Sequence, residues 1–296
     1  MKIRPADFEE SEYRGPLFNQ LLRGNHLLWE PGQVFEQYIG VDYAAFAEND
    51  AFWKLRRSHM RSGAILGQTR FDYIWKKKKK GKTLPPFKLN IFIQAKRSNS
   101  TPVTPKKARD KGLLSSCWFF NVETHQQAAL HRLSSQLGGH GIVCYAAPAF
   151  DKQMELYINT ENRTMVQNST FPAAGKLAGH GRWYYDRAGR FGVANPDFQE
   201  FELTSINDQI TTLIEQSTNL HEGNASEMLN SLAKFIDLTI DTASEVSSRD
   251  TFFSYLAQIL EDEASEFIEH DNEPLRNYLR IRAFCIAYEL QWFTIL

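Results

Sequence analysis

Gln94 and Lys96 close the run Leu89-Asn90-Ile91-Phe92-Ile93-Gln94-Ala95-Lys96, two residues apart. Alternate residues of a β-strand share a face, so the amide and the ammonium project together while Ile91, Ile93 and Ala95 turn the other way. An amide oxygen beside a cation suits hydrolysis of a phosphodiester, in which negative charge grows on the phosphoryl oxygens and is met by fixed positive charge. Two carboxylates precede the pair. Glu36 lies in segment 31–40, which opens on proline and closes on glycine as a short helix does, and Asp42 lies in the strand-like run 41–46.

The order glutamate, aspartate, Gln-x-Lys resembles that of the PD-(D/E)XK, or restriction-endonuclease-like, nuclease superfamily over about residues 28–150. The resemblance implies an α/β fold, a mixed central sheet flanked by helices in the order α-β-β-β-α-β, here followed by an α-helical C-terminal region. It also implies a Mg²⁺ (or Mn²⁺) cofactor bound by Asp42 and Gln94, with the carbonyl of Ala95 as a further oxygen. Lys96 would orient or deprotonate the attacking water or offset the charge of the scissile phosphate. Glu36 would serve as a base or as ligand to a second ion. Gln94 stands where the superfamily more usually has an acid, which removes one negative charge and weakens metal affinity. Asp72, 22 residues before Gln94, is the alternative metal-binding aspartate. Asp42, 52 residues before it, is preferred because it follows the Glu36 helix at the start of a strand, whereas Asp72 leads straight into a lysine run.

The substrate is expected to be a polyanion. Between residues 76 and 111 stand thirteen Lys or Arg and one acid, Asp110. Lys76, Lys77, Lys78, Lys79, Lys80 and Lys82 form a solvated loop before the candidate strand, and Arg97, Lys106 and Lys107 follow it. Such a surface neutralises phosphates and releases counterions without reading sequence. Double-stranded DNA is the substrate the resemblance implies, although phosphate contacts alone do not tell DNA from RNA. Nuclease modules joined to helical regions also resemble effectors of bacterial antiphage defence of the Lamassu and CBASS types. That likeness implies an ATPase or sensor partner that releases the activity, and a homo-oligomer when active. The alternatives are a stand-alone restriction or repair nuclease and a catalytically silent DNA-binding scaffold. Two Gly-His-Gly triplets place His140 and His180 in turns, where a histidine could approach a phosphate or simply be a tolerated turn residue.

Composition bounds these readings. The 296 residues are 42% hydrophobic and 23% charged, as in ordinary globular chains. No apolar run approaches the ~20 residues of a membrane span and no signal-peptide core stands at the N-terminus, so the expectation is a cytoplasmic protein without membrane contact. The three cysteines, Cys117, Cys144 and Cys285, lack zinc-site spacing, and no phosphate-binding or dinucleotide glycine motif is present. The net charge of −1 conceals a division: residues 201–296 carry −12 and residues 1–200 carry +11. We therefore expect a nuclease domain over 1–200 and an acidic helical regulatory or assembly domain over 201–296.

Around the candidate strand, hydrophobic spacing predicts helices at 16–22, 50–57 and 123–137, the last stopped by Gly138-Gly139. It predicts strands at 69–75, 115–120, 142–147, 155–158 and 182–185. From residue 203 onward the spacing turns helical, with helices predicted at 206–216, 225–242, 250–268 and 273–292.

Overall fold

The computed structural model describes residues 3–21, 63–65, 89–188, 190–217, 225–241, 250, 252–257 and 273–295. In chain order these form β1 (Arg4–Pro5), α1 (Glu10–Leu21), β2 (Gly63–Ile65), β3 (Leu89–Ala95), β4 (Asn99–Thr101), α2 (Lys106–Arg109) and β5 (Cys117–Asn121). There follow α3 (Thr124–Leu137), β6 (Gly141–Pro148), α4 (Gln153–Glu161), β7 (Ser169–Thr170), β8 (Arg182–Arg187), β9 (Phe191–Asn195) and β10 (Gln199–Glu202). The chain closes with α5 (Ile206–Ser217), α6 (Ala225–Asp241), α7 (Glu273–Ala287) and β11 (Gln291–Ile295). The architecture is mixed α/β, with antiparallel sheet flanked by helices. Among the described residues no helix is long and apolar enough to cross a membrane.

Two compact units interleave along the sequence. One comprises Met1–Leu21, Ile93–Ser135 and Ile142–Glu215, the other Leu22–Phe92, Gln136–Gly141 and Gln216–Leu296. The first is built on a six-stranded antiparallel sheet in the order β1-β4-β5-β8-β9-β10. Strand alternation sorts its aromatics. Phe120 and Tyr185 point to one face, where Phe120 meets Tyr145 of β6 at 5.5 Å between ring centroids. Phe119, Tyr184 and Val193 point to the other, where Ala108 of α2 and Leu113 cover them. Gly192 is required here because a Cβ would lie 2.1 Å from the indole of buried Trp183.

In the second unit the first residues of β3 carry Asn90 and Phe92, packed with Trp292 of β11. The Phe92 and Trp292 rings stack at 6.0 Å, and the indole Nε1–H donates to Asn90 Oδ1 at 3.0 Å. β11 pairs antiparallel with β2, Phe293 opposite Ile65. A Cβ on Gly141 would come within 2.6 Å of the Asn90 carbonyl, so this glycine lets β6 begin hard against β3. In the first unit Lys96 N–H donates to the Ala146 carbonyl at 2.8 Å. Residue 90 beside 141 and residue 96 beside 146 mean that β3 and β6 run in the same direction. All seven residues of β3 are buried, as expected of an interior strand.

Several predicted elements are corrected. Residues 155–158 are helix, not strand. The apolar alternation Met154, Leu156, Ile158 imitates a strand, but the Lys152 N–H donates to Glu155 Oε2, the Gln153 N–H donates to an Asp7 carboxylate oxygen, and α4 starts there. The helix expected at 16–22 begins at Glu10 with Pro16 inside it. Tyr13, Leu17, Phe18 and Leu21 are buried at helical spacing, which carries the helix through the one hydrogen bond proline removes. The polar stretch after β3 holds β4 and α2. The last helix stops at Ala287, short of the predicted 292, in a Schellman turn. Leu290 N–H donates to the Cys285 carbonyl at 2.8 Å, Glu289 N–H donates to that of Ile286 at 3.2 Å, and Glu289 takes φ 54°. Gln291–Ile295 then forms a strand, so the C-terminal region is not wholly helical. The elements expected at 31–40, 41–46, 50–57 and 69–75 lie outside the described residues.

The cysteines are all buried, and burial pushes their thiols up, Cys144 to about 12. A thiol reagent at pH 8 is expected to label none of the three in the native protein and all three in denaturant. Gly192→Ala should lower stability by about 1–3 kcal/mol, read as a lower denaturation midpoint, because the indole of Trp183 must be displaced.

Candidate active site at the end of β3

Gln94 and Lys96 do share a face. Gln94 is fully buried, and its Nε2 donates to Gln126 Oε1 at 2.7 Å. The Lys96 ammonium, half-buried, donates to the same oxygen at 3.1 Å. Gln126 stands in the first turn of α3 and is itself buried. One neutral amide oxygen therefore gathers two donors from consecutive same-face positions of one strand. Because that oxygen carries no net charge, the contact orients the ammonium without cancelling its charge, unlike a carboxylate partner.

The neighbouring residue of α3 makes a second set of buried hydrogen bonds. Tyr145 Oη–H donates to Gln127 Oε1 at 2.6 Å, and Gln127 Nε2 donates to the Ala174 carbonyl at 2.7 Å. Burial, and secondarily the charge of Glu123, holds the Tyr145 hydroxyl well above its ordinary range, so it remains a neutral donor. Gln126 and Gln127 thus tie the start of α3 to strand side chains below it.

Gln126 was not among the expected site residues, although a signal for it exists. The predicted apolar stripe Leu130, Leu133, Leu137 extends back four residues to position 126, so an amide occupies an inward-facing position of an otherwise apolar row. A buried amide needs a partner, and the same-face amide of Gln94 is one.

Glu36, Asp42 and its alternative Asp72 lie outside the described residues, as do Lys76, Lys77, Lys78, Lys79, Lys80 and Lys82. Arg97, next to Lys96, turns away from the pair: its guanidinium donates to the Ala6 carbonyl and faces Glu9 at 3.4 Å, which ties the N-terminal segment to the strand's end. Lys106 and Lys107 are exposed on α2. His180 is buried with Nδ1 at 3.2 Å from the Asn195 carbonyl and its ring edge-on to Phe201, the setting of a packed turn residue. His140 is half-buried in the short turn Gly138–His140 that ends α3, where Gly138 takes φ 51°.

A magnesium ion takes hard oxygen ligands, ordinarily including carboxylates. Among the described residues no group of three or more His, Cys, Asp or Glu is gathered, and the constellation at β3 supplies amides and an ammonium. By themselves these described side chains do not make up a magnesium shell. What they can do is present a fixed cation, flanked by hydrogen-bonding amides, to an anionic group. Compared with family models, with curated proteins and with solved structures, the chain matches none.

Gln126→Ala removes the acceptor of a buried donor and is expected to cost about 1–3 kcal/mol in denaturant unfolding. A double-mutant cycle with Gln94→Ala should return a coupling energy of about 0.5–3 kcal/mol, whereas independent residues would add.

Proposed function

We propose that the protein is a nuclease that hydrolyses phosphodiester bonds of duplex DNA with a divalent metal, Lys96 acting at the scissile phosphate. The observation that carries the reading is the convergence of the Lys96 ammonium and the Gln94 amide on Gln126 Oε1 at the end of an interior strand. The direction of β3 and β6 and the placing of α3 between them in sequence support it, since the resembled superfamily builds its site on such a framework. Lys96 offsets the growing charge on the phosphoryl oxygens, and Gln126 holds it in place. A bound metal would supply an activated water and further charge neutralisation. Its carboxylate ligands are proposed from the sequence pattern as Asp42, or Asp72 in its stead, with Glu36 as base. By the same resemblance the protein would act as a defence effector, released by an ATPase or sensor partner.

A second reading has one observation in its favour. Gln94 stands where the resembled superfamily more usually has an acid, is fully buried, and directs its amide nitrogen to Gln126. A scaffold that retained the fold and bound DNA without cutting it could carry this pair as internal packing.

Cleavage of plasmid DNA by the purified chain with Mg²⁺ separates the two. Lys96→Ala is expected to slow cleavage by about 10²–10³-fold with the fold intact by circular dichroism, the scale of removing one charge-stabilising donor. Undiminished cleavage by Lys96→Ala ends the first reading. Duplex binding by a wild-type chain that never cuts, with or without added partner extracts, favours the second.

A further inference from the structure

The loop between β4 and β5 has an unusual polarity. Its neck is closed by the Thr104 N–H donating to the Ser115 carbonyl at 2.8 Å. Within it, Ala108 of α2 and Leu113 are buried against Cys117, Phe119, Tyr184 and Val193 of the sheet. Fixing the apolar side inward leaves Lys106, Lys107 and Arg109 exposed outward. Lys107 Nζ also lies 5.7 Å from the centroid of the Phe198 ring, which limits its wandering. Of the nearby acids, Glu200 faces Lys111 at 3.8 Å and Asp186 accepts from the Leu114 N–H at 2.5 Å, while Asp110 is exposed beside Arg109. Two aliphatic side chains at the neck do not join the core: Val103 is 57% exposed and Leu114 50% exposed.

Resting on the nucleic-acid reading above, we propose that this loop is a second contact to duplex DNA, distinct from the site at Lys96. Lys106, Lys107 and Arg109 hold phosphates, and Val103 and Leu114 enter the minor groove as an apolar wedge that bends the duplex. Three features select this partner. A helix that binds a membrane surface turns an apolar face outward, whereas α2 turns Ala108 into the sheet and its cations out, and the loop's exposed large aliphatics are the two residues Val103 and Leu114 at its neck. Single-strand binders offer aromatic platforms to bases, whereas Phe119 and Tyr184 beneath this loop are buried. Exposed aliphatics flanked by cations are the means by which minor-groove proteins unstack a base step while gripping the backbone.

The test uses the full chain, a 30-base-pair duplex labelled at both ends, and Lys96→Ala as background so that cutting does not interfere. Lys106→Ala/Lys107→Ala/Arg109→Ala should flatten the slope of log affinity against log salt by about 2.7, since each lost phosphate contact removes about 0.9. Val103→Ser/Leu114→Ser should keep that slope and lose the end-to-end approach of the fluorophores. All five side chains are exposed, so the fold should stay intact by circular dichroism, with at most the small loss expected from the Lys107–Phe198 contact. An unaltered slope in the triple variant, an unaltered bend in the double variant, or preferential binding of the wild type to phosphatidylserine vesicles overturns the proposal. Failure of the nuclease reading looks different: binding and bending depend on the loop as described, but the wild type never cuts. Conversely, cleavage that is lost in Lys96→Ala while the loop variants bind and bend normally leaves the nuclease reading standing and removes this one.

Discussion

A polar side chain in an interior strand must find its hydrogen-bond partner within the protein, and β3 contains two. Asn90 and Gln94 are both buried, in a strand with no exposed residue. Leaving either amide unpaired would cost about 1–3 kcal/mol, a sizeable part of the margin by which a domain is folded. Asn90 is answered by the indole of Trp292, Gln94 by the amide of Gln126. Each answer constrains what can lie alongside the strand: an aromatic of β11 in one case, the opening turn of α3 in the other. Lys96 then inherits its orientation from a contact whose first duty is to satisfy Gln94.

This arrangement gives the candidate site a particular electrostatic character. Ammonium groups in proteins are usually steadied by carboxylates, which hold them in place by spending their charge. Here a neutral oxygen does the steadying, and the charge remains available to an anion. A related division recurs at the β4–β5 loop, where Ala108 and Leu113 are buried against the sheet while Lys106, Lys107 and Arg109 are exposed. In both places apolar packing or a neutral amide supplies the geometry.

The six-stranded sheet shows why the region after residue 150 is hard to read. β9 and β10 were not predicted: Phe191-Gly192-Val193-Ala194-Asn195 contains a glycine that ordinarily weakens a strand, and Gln199-Glu200-Phe201-Glu202 is largely polar. Both are strands because sheet pairing supplies the hydrogen bonds: β9 pairs with β8, Tyr184 opposite Val193, and β10 pairs with β9, Glu200 opposite Val193. The glycine is there for Trp183, whose ring occupies the space a side chain would need. None of this is visible from position 192 and its neighbours alone.

By itself the sequence determined the elements whose periodicity is strong and local. The apolar run of β3, the stripe Ala129, Leu130, Leu133, Leu137 of α3, the strand before Pro148, and α5 and α6 are written in side-chain spacing that one element suffices to express. So was the meeting of Gln94 and Lys96, because strand alternation alone puts them on one face. Tertiary structure decided the rest. It made a helix of 153–161 through an Asp7 cap from 146 residues away, ended α7 early in favour of β11, and turned Arg97 toward Ala6. It also chose Gln126 as the partner that completes the site, since which buried amide answers another depends on what the fold brings near it, and spacing along one chain segment carries no record of that.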